Sequence, residues 1–295
     1  MPIELGDNRY GKAEVRMFTV GRDGERHELT DLNVGIALSG DFEATHLTGD
    51  NAQVLPTDTQ KNTVYAFAKE HGVGQVEAFG LLLARHFVTS HPPTRQARVH
   101  IAEYGWARLQ LPGGPAPHSF ARTGPEVRTA EVIVTRDADP VVISGISGLV
   151  LLNSTGSEFH GFATDRYTTL PETIDRVLAT EVSARWRHQP GGDQPRFDWR
   201  TSFDETRRHL LEAFAETYSL SLQQTLYAMG ERVLQQRAEI AEVRLVLPNR
   251  HHLLVDLSPF DLTNDNEVFY PSDRPYGLIE GTVRRTGIAG PDLAW

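Results

Sequence analysis

The sequence contains no cysteine, which excludes disulfide bonds, thiolate nucleophiles and cysteine-based metal sites. It also lacks any apolar run long enough to cross a membrane as a helix, and its N-terminus has no basic segment followed by an apolar one. We therefore expect the protein to remain in the compartment in which it is made.

Positive charge is scarce as well. The 29 Lys and Arg residues face 39 Asp and Glu residues, giving a formal net charge of −10 and a pI near 5.6. This balance argues against a nucleic acid or an anionic membrane surface as the main partner. The final residues, 290–295, lack a Ser-Lys-Leu peroxisomal signal. The simplest expectation is a cytoplasmic protein whose anionic ligands would need a local basic pocket.

The order of predicted elements indicates an α+β protein built from two tandem lobes, residues 1–137 and 138–295. Each lobe reads strand, strand, helix, helix, strand, strand, which predicts an antiparallel sheet with two helices on one face. The first lobe has strands at 9–20, 27–38, 97–111 and 118–136 and helices at 59–71 and 75–89. The second has strands at 141–152, 180–188, 239–247 and 251–257 and helices at 202–218 and 221–236.

Local signals predict where these helices begin and end. Ser202 with Glu205, and Ser221 with Gln224, have the spacing of capping boxes at the starts of the two later helices. Gly72 is expected to end the first helix in a left-handed conformation.

The first strand shows the alternation of a half-buried strand. Its apolar residues Ala13, Val15 and Met17 alternate with charged residues, of which Lys12 is the first. This pattern predicts that the Lys12 side chain points away from the core.

The stretch from Val54 to Thr63 reads as a strand end that runs into a helix start. Thr57, Asp58 and Thr59 are residue types that accept hydrogen bonds from free N–H groups at a helix N-terminus, so the ordinary interpretation is a helix cap. The other motifs of the chain, given next, favour a functional interpretation of this stretch instead.

Several strings of residues carry a resemblance to a known family. They are Thr-Asp-Thr-Gln-Lys-Asn-Thr from residue 57, Tyr-Thr-Thr-Leu-Pro-Glu-Thr from residue 167 and Leu-Pro-Asn-Arg-His from residue 247, together with Gly11-Lys12 and Phe159-His160-Gly161-Phe162. With these strings the chain resembles the urate oxidase (uricase) family over nearly its whole length.

The resemblance implies an architecture and a reaction. Uricases have tandem tunnelling-fold lobes, two subunits that close a sheet barrel, and two such dimers stacked into a homotetramer with active sites at subunit interfaces. The implied reaction oxidises urate with O2 and water to 5-hydroxyisourate and hydrogen peroxide, in purine degradation towards allantoin. No cofactor and no metal are implied.

The resemblance also assigns residues that hold the substrate. Arg176 offers a planar cationic fork to one edge of urate, and Gln223 reads another edge with the backbone N–H of Leu222 beside it. Phe159 stacks on the ring. Taken singly, Arg176 could be a solvated helix residue and Phe159 could be core.

The catalytic residues that the resemblance implies are Lys12, Thr57 and His251. In the family the lysine deprotonates the threonine hydroxyl and the histidine moves protons through water. O2 lies above the ring near Asn249 and Thr57. Thr57 and the backbone N–H of Asp58 are expected to come from the neighbouring subunit and to face Lys12, Phe159 and Arg176 of the first.

Two other functions remain open at this point. Another tunnelling-fold enzyme acting on a planar heterocycle, such as a pterin, would typically anchor the ring with a glutamate, where this chain has Gln223. A non-catalytic oligomeric binding protein is the second alternative, and the presence of Lys12, Thr57 and His251 together argues against it. His251 and His252 are adjacent, so on a strand they would point to opposite faces and could not easily share a metal ion.

Overall fold

In the computed structural model, which describes residues 3–191 and 197–288, eight strands follow one another through the sheet in chain order. The strands are β1 (Tyr10–Gly21), β2 (Glu28–Gly40), β3 (Thr94–Leu111), β4 (Gly114–Thr135), β5 (Val141–Asn153), β6 (Leu178–His188), β7 (Ile240–Leu254) and β8 (Phe269–Arg284). The C-terminal segment, on which the expected absence of a peroxisomal signal rests, lies outside the described residues.

Five α-helices accompany the strands in the described residues: α1 (Glu43–Leu47), α2 (Thr57–His71), α3 (Val76–Ser90), α4 (Trp199–Glu216) and α5 (Leu222–Gln236). All four predicted helices are present, whereas the short α1 was not predicted. None of the helices in the described residues is long and apolar enough to span a membrane.

The predicted order of elements is confirmed in the first half of the chain, and β1–β2, β2–β3 and β3–β4 pair antiparallel. The closing strands of the second half were predicted wrongly. Residues 239–247 and 251–257 were expected to form two strands, but one strand, β7, covers most of both and pairs with β8. Pro248 does not end β7, because its missing N–H falls next to an irregularity in the β7–β8 register between Asn249 and His251.

Two of the predicted helix termini also differ. Ser202 lies inside α4, where its hydroxyl donates to Glu239 (2.9 Å), and Asp198 instead accepts from the N–H of Thr201 (3.0 Å). Gly72 ends α2 with φ 71° and ψ 168°, a positive φ outside the left-handed helical region. The predicted cap at Ser221 is confirmed, since its side chain accepts from the N–H of Gln224 (3.1 Å).

The chain divides into two compact units. The first contains the chain up to Gly145 together with Arg187–Thr201, and the second contains Ile146–Trp186 and the chain from Ser202 onward. In the first unit, α2 and α3 pack on one sheet face through buried residues that include Val64, Phe79, Val34 and Val99. In the second, the core includes Trp186, Leu210, Leu226 and Val243. The lobe boundary at residue 137 stays a prediction.

Corresponding contacts in the two units support an internal duplication. After β4, Arg136 donates to the carbonyl of Val88 in the last turn of α3 and to those of Pro92 and Thr94 beyond it. After β8, Arg285 donates to the carbonyls of Leu234, Arg237 and Ile240 at the end of α5. Each guanidinium therefore satisfies carbonyl groups that a helix C-terminus leaves free.

The packing of α3 and α5 on their sheets is also related, because each helix brings a glycine close to a valine on a strand. Gly80, in α3, lies so close to β4 that an added Cβ would meet Val132 at 2.8 Å. In the second unit, a Cβ on Gly230 of α5 would meet Val283 of β8 at 2.6 Å. A glycine on the helix thus faces a branched side chain on the strand in both units.

Candidate active site

A β-bulge near the start of β1 decides where Lys12 lies. Lys12 pairs with Ile36 and Val15 pairs with Val34, so β1 has one more residue than β2 between these two pairs. Within the bulge, Glu14 has φ 58°. Residues directly opposite each other in an antiparallel pair share a face, and Ile36 and Val34 are both buried under the helices. Lys12 therefore lies on the helix-covered face, and the prediction that it points away from the core was wrong.

The start of α2 is not capped by a side chain. The helix begins at Thr57, the preceding Pro56 holds the N-cap position, and no side chain provides a capping hydrogen bond there. In the part of the chain that the structure describes, the half-buried Thr57 hydroxyl is not engaged in a helix cap. The interpretation of Thr57 as an ordinary cap is therefore wrong, and its hydroxyl is available for chemistry.

Contacts and charges connect β1, which carries Lys12, with the start of α2. The hydroxyl of Tyr10 accepts a hydrogen bond from the backbone N–H of Leu55 (2.8 Å), which ties β1 to the segment before α2. Lys61 donates to Asp58 (2.5 Å) and is the main cause of the lowered pKa of Asp58, to which the charge of Lys12 also contributes. Lys12, Thr57 and Asp58 thus form one group within the first unit. Within a single chain, Lys12 therefore lies near Thr57 and Asp58.

In the second unit, residues 156–159 connect the other predicted site residues. Phe159 pairs with Thr173 through two backbone hydrogen bonds (2.8 and 3.0 Å). Ser157 pairs with Ser219 in the connection that leads into α5. The ring of Phe159 is half-buried and stacks on Phe162 at 5.0 Å between centroids.

Arg176 lies in the loop before β6, not in a helix, and its guanidinium is held over Phe159 at 5.2 Å from the ring centroid. Its Nε donates to the hydroxyl of Ser157 (3.1 Å), and its backbone N–H donates to the Ser157 carbonyl (2.9 Å). Burial lowers the pKa of Arg176. Its Nη2 is buried and has no hydrogen-bond partner within the described residues. A buried cationic donor of this kind is a strong candidate for binding an anionic ligand.

His251 and Asn249 lie on β7 at the irregular stretch of the β7–β8 register, and both are half-buried. The pKa of His251 is lowered, first by burial and then by the positive charge of Arg176. His251 is therefore close enough to Arg176 to feel its charge, and its imidazole is kept neutral at pH 7.

Leu222 and Gln223 are the first two residues of α5. Leu222 is buried in the core of its unit, whereas the Gln223 side chain is exposed. The α5 N-terminus is joined to the segment of Phe159 by hydrogen bonds from Ser219 N to Gly156 O and from Glu158 N to Ser219 O (both 2.9 Å).

The predicted residues thus fall into two groups, one in each unit. Lys12, Thr57 and Asp58 belong to the first unit; Phe159, Arg176, Leu222, Gln223, Asn249 and His251 belong to the second. The sequence interpretation missed Ser157 and Tyr10, which hold these groups in place. In the described residues no group of three or more His, Cys, Asp or Glu side chains is arranged to hold a metal ion.

Comparison with known proteins identifies the family. The family model described as Uricase matches residues 8–133 and 142–280. The uricase of Arthrobacter globiformis is 50% identical over 293 residues, covering 99% of this chain and 94% of that protein. The uricase of Oryctolagus cuniculus is 36% identical over 288 residues, covering 96% and 95%.

Solved structures agree with the sequences. The crystal structure of the Arthrobacter globiformis uricase superimposes with a TM-score of 0.92 at 49% identity, covering 99% of this chain and 98% of that one. A urate oxidase from Bacillus sp. TB-90 shares the fold alone, with a TM-score of 0.82 at 23% identity and coverage of 94% and 99%. The fold is therefore the tunnelling fold, and the pterin-enzyme and binding-protein alternatives are set aside. The chain belongs to the uricase family, and its activity is that of a urate oxidase, an oxidoreductase.

Proposed function

We propose that this urate oxidase converts urate, O2 and water to 5-hydroxyisourate and hydrogen peroxide without a metal or organic cofactor, in the degradation of purines towards allantoin. The observation that carries the proposal is the buried Nη2 of Arg176, which has no hydrogen-bond partner within the described residues and belongs to a guanidinium held over Phe159. The charge of this guanidinium also contributes to the lowered pKa of His251. These groups supply a planar cation, an aromatic face and a proton acceptor for one flat anion.

The second unit provides the groups that read the substrate. Urate at neutral pH is a flat anion edged with carbonyl and N–H groups. Arg176 donates to one edge, Gln223 pairs with another through its amide, and the Leu222 N–H at the start of α5 donates beside it. Phe159 packs on the ring face.

The first unit provides groups for the proton chemistry. The hydroxyl of Thr57 is not used as a helix cap, and Lys12 lies on the same side of the sheet as the start of α2. Lys12 withdraws the proton from Thr57, Thr57 takes one from urate, and His251 moves protons through water. The lowered pKa of His251 supports this role because a neutral imidazole can accept a proton at pH 7.

The electron transfer follows once urate has lost its second proton. The urate dianion gives two electrons to O2 near Asn249 and Thr57. Water then adds to the oxidised ring, so that O2 leaves as hydrogen peroxide and the ring carries one new hydroxyl. The atoms balance with urate, O2 and water on one side and 5-hydroxyisourate and hydrogen peroxide on the other.

We further propose that the protein is a homotetramer in which Lys12, Thr57 and Asp58 of one subunit complete the site of its neighbour. Exposed apolar side chains support assembly, including Leu253, Tyr270 and Leu278 on the paired strands β7 and β8. Such a surface is a liability on an isolated subunit and is buried when copies associate.

The reaction is tested by following the ultraviolet absorbance of urate while peroxide is measured in the same sample. We expect one peroxide per urate, and the same rate after exhaustive dialysis against a strong chelator. Loss of activity that one specific metal restores would contradict the cofactor-free mechanism.

The substrate contacts are tested by Arg176→Ala and Gln223→Ala. Both variants should chiefly weaken binding, because urate makes these contacts before the chemical step as well as during it. The arginine should cost about 2–4 kcal/mol and the neutral amide less. An unchanged KM in both variants would place the ring elsewhere.

A further inference from the structure

The hydroxyl of Ser157 occupies a buried position against Arg176. Ser157 has no exposed surface, and its Oγ accepts a hydrogen bond from Arg176 Nε at 3.1 Å. Its carbonyl accepts from the Arg176 backbone N–H at 2.9 Å. Ser157 therefore restrains both the main chain and the guanidinium of Arg176.

The contact with Nε restricts how Arg176 can present its other donors. A guanidinium is planar and rigid, so a partner at Nε restricts its rotation about the side chain. The Nη2 group is then held in a buried position where it has no partner within the described residues. Without the Ser157 hydroxyl, the half-buried arginine would lose the acceptor at its Nε and could adopt other rotamers.

Ser157 also contacts the segment that leads into α5. Ser157 pairs with Ser219, which is fully buried and accepts from the Thr225 hydroxyl (2.8 Å) inside α5. Ser157 thus connects the loop that carries Arg176 to the start of α5, where Leu222 and Gln223 lie.

We propose that Ser157 is a positioning residue for urate binding: its hydroxyl orients the Arg176 guanidinium towards the substrate. This inference rests on the proposed role of Arg176 in binding urate. Ser157 acts through Arg176 and does not touch the substrate.

The test is the affinity of Ser157→Ala for urate, titrated without O2 so that no turnover occurs. Losing a hydrogen bond to a charged group should weaken urate binding about tenfold, with kcat in air within about twofold of the wild type. Thr155→Ala is the matched control, because the Thr155 hydroxyl bonds Asp175 (2.8 Å) across the same pair of segments without contacting Arg176. The control should bind urate as the wild type does.

A double variant separates positioning from a general structural role. If Ser157 acts only through Arg176, adding Ser157→Ala to Arg176→Ala should not weaken binding further. Independent, additive losses would overturn the proposal, as would unchanged affinity in Ser157→Ala. If Ser157→Ala does not fold, Ser157→Cys carries the same comparison, because its thiol is of similar size and a weaker acceptor.

The same measurements distinguish this inference from the proposed function. Arg176→Ala with unchanged affinity would refute the role of Arg176 itself. Weakened binding in Arg176→Ala, with wild-type binding in Ser157→Ala, would refute only the role of Ser157.

Discussion

At the scale of single residues, the proposed proton chemistry depends on the charge state of His251. Burial disfavours the imidazolium, and the nearby Arg176 guanidinium disfavours it further, so both causes lower the pKa of His251. The neutral form then persists to a lower pH than for a histidine in water. Arg176 thus has a second effect besides its proposed role in binding urate, because its charge favours the uncharged form of His251.

We therefore predict that Arg176→Gln raises the pKa of His251. The value should move towards 6.5, the ordinary histidine value, and stay below it, because burial remains. The acid limb of kcat/KM, which reports the free enzyme, should shift to higher pH in the same direction, and NMR titration of His251 reports the pKa directly.

Arg250→Gln is the matched control for this titration. Arg250 lies beside His251 on β7 but pairs with Glu181, and it is not among the causes of the His251 shift. A His251 pKa that moves equally in both variants, or only in Arg250→Gln, would contradict the assignment.

At the scale of elements, one extra residue in β1 places Lys12 on the helix-covered face of the sheet. Strict alternation would have placed the Lys12 side chain on the other face of the sheet from Val15 and Met17. The bulge instead puts all three on the helix-covered face. The tie between Tyr10 and the segment before α2 then holds this end of β1 close to Thr57.

Deleting Ala13 tests this register. The deletion leaves Glu14 alone between Lys12 and Val15, as Gly35 is between Ile36 and Val34, so the pairing becomes regular and Lys12 stays opposite Ile36 on the helix-covered face. We therefore expect kcat within about tenfold of the wild type, whereas Lys12→Met should lower kcat about 100-fold because a proton-transfer group is lost. A deletion variant that folds, by thermal unfolding, but loses as much activity as Lys12→Met would contradict this register.

The sequence predicted the helices better than the strands for physical reasons. A helix such as α3 repeats its apolar spacing over 15 residues, which few other structures mimic. The bulge in β1 leaves no such pattern, because the extra residue changes the face of Lys12 without changing the alternation of apolar and charged residues in the sequence. β8 was missed because Pro271, Pro275 and Gly277 interrupt it, and the structure accommodates Pro275 in the irregular stretch of its register.

The residues of the candidate site were found through the resemblance and not through periodicity. The strings around Thr57, Arg176 and His251 indicated which side chains matter, but they could not show what holds them. Ser157 has no signal in a single sequence, since a buried serine hydroxyl becomes significant only when its partner is known.

At the scale of the whole molecule, the two groups of candidate site residues belong to the two different units of the chain. The matched arginines after β4 and β8 and the matched packing of Gly80 and Gly230 support an internal duplication. If a neighbouring subunit supplies Lys12, Thr57 and Asp58, each site of the proposed tetramer needs two chains.

The shared site is tested most directly by the urate turnover of a co-expressed pair, a Thr57→Ala chain and an Arg176→Ala chain. In a heterodimer of the two, one site carries both defects and the other carries neither, so activity should recover to about half of the wild-type value per heterodimer. The pair Lys12→Ala and Thr57→Ala should not recover, because both defects lie in the same group and every site keeps one of them. The account predicts activity in the first pair and none in the second. Verified hetero-oligomers of the first pair that stay as inactive as their parents would contradict it, and the site would then have to be built within one chain.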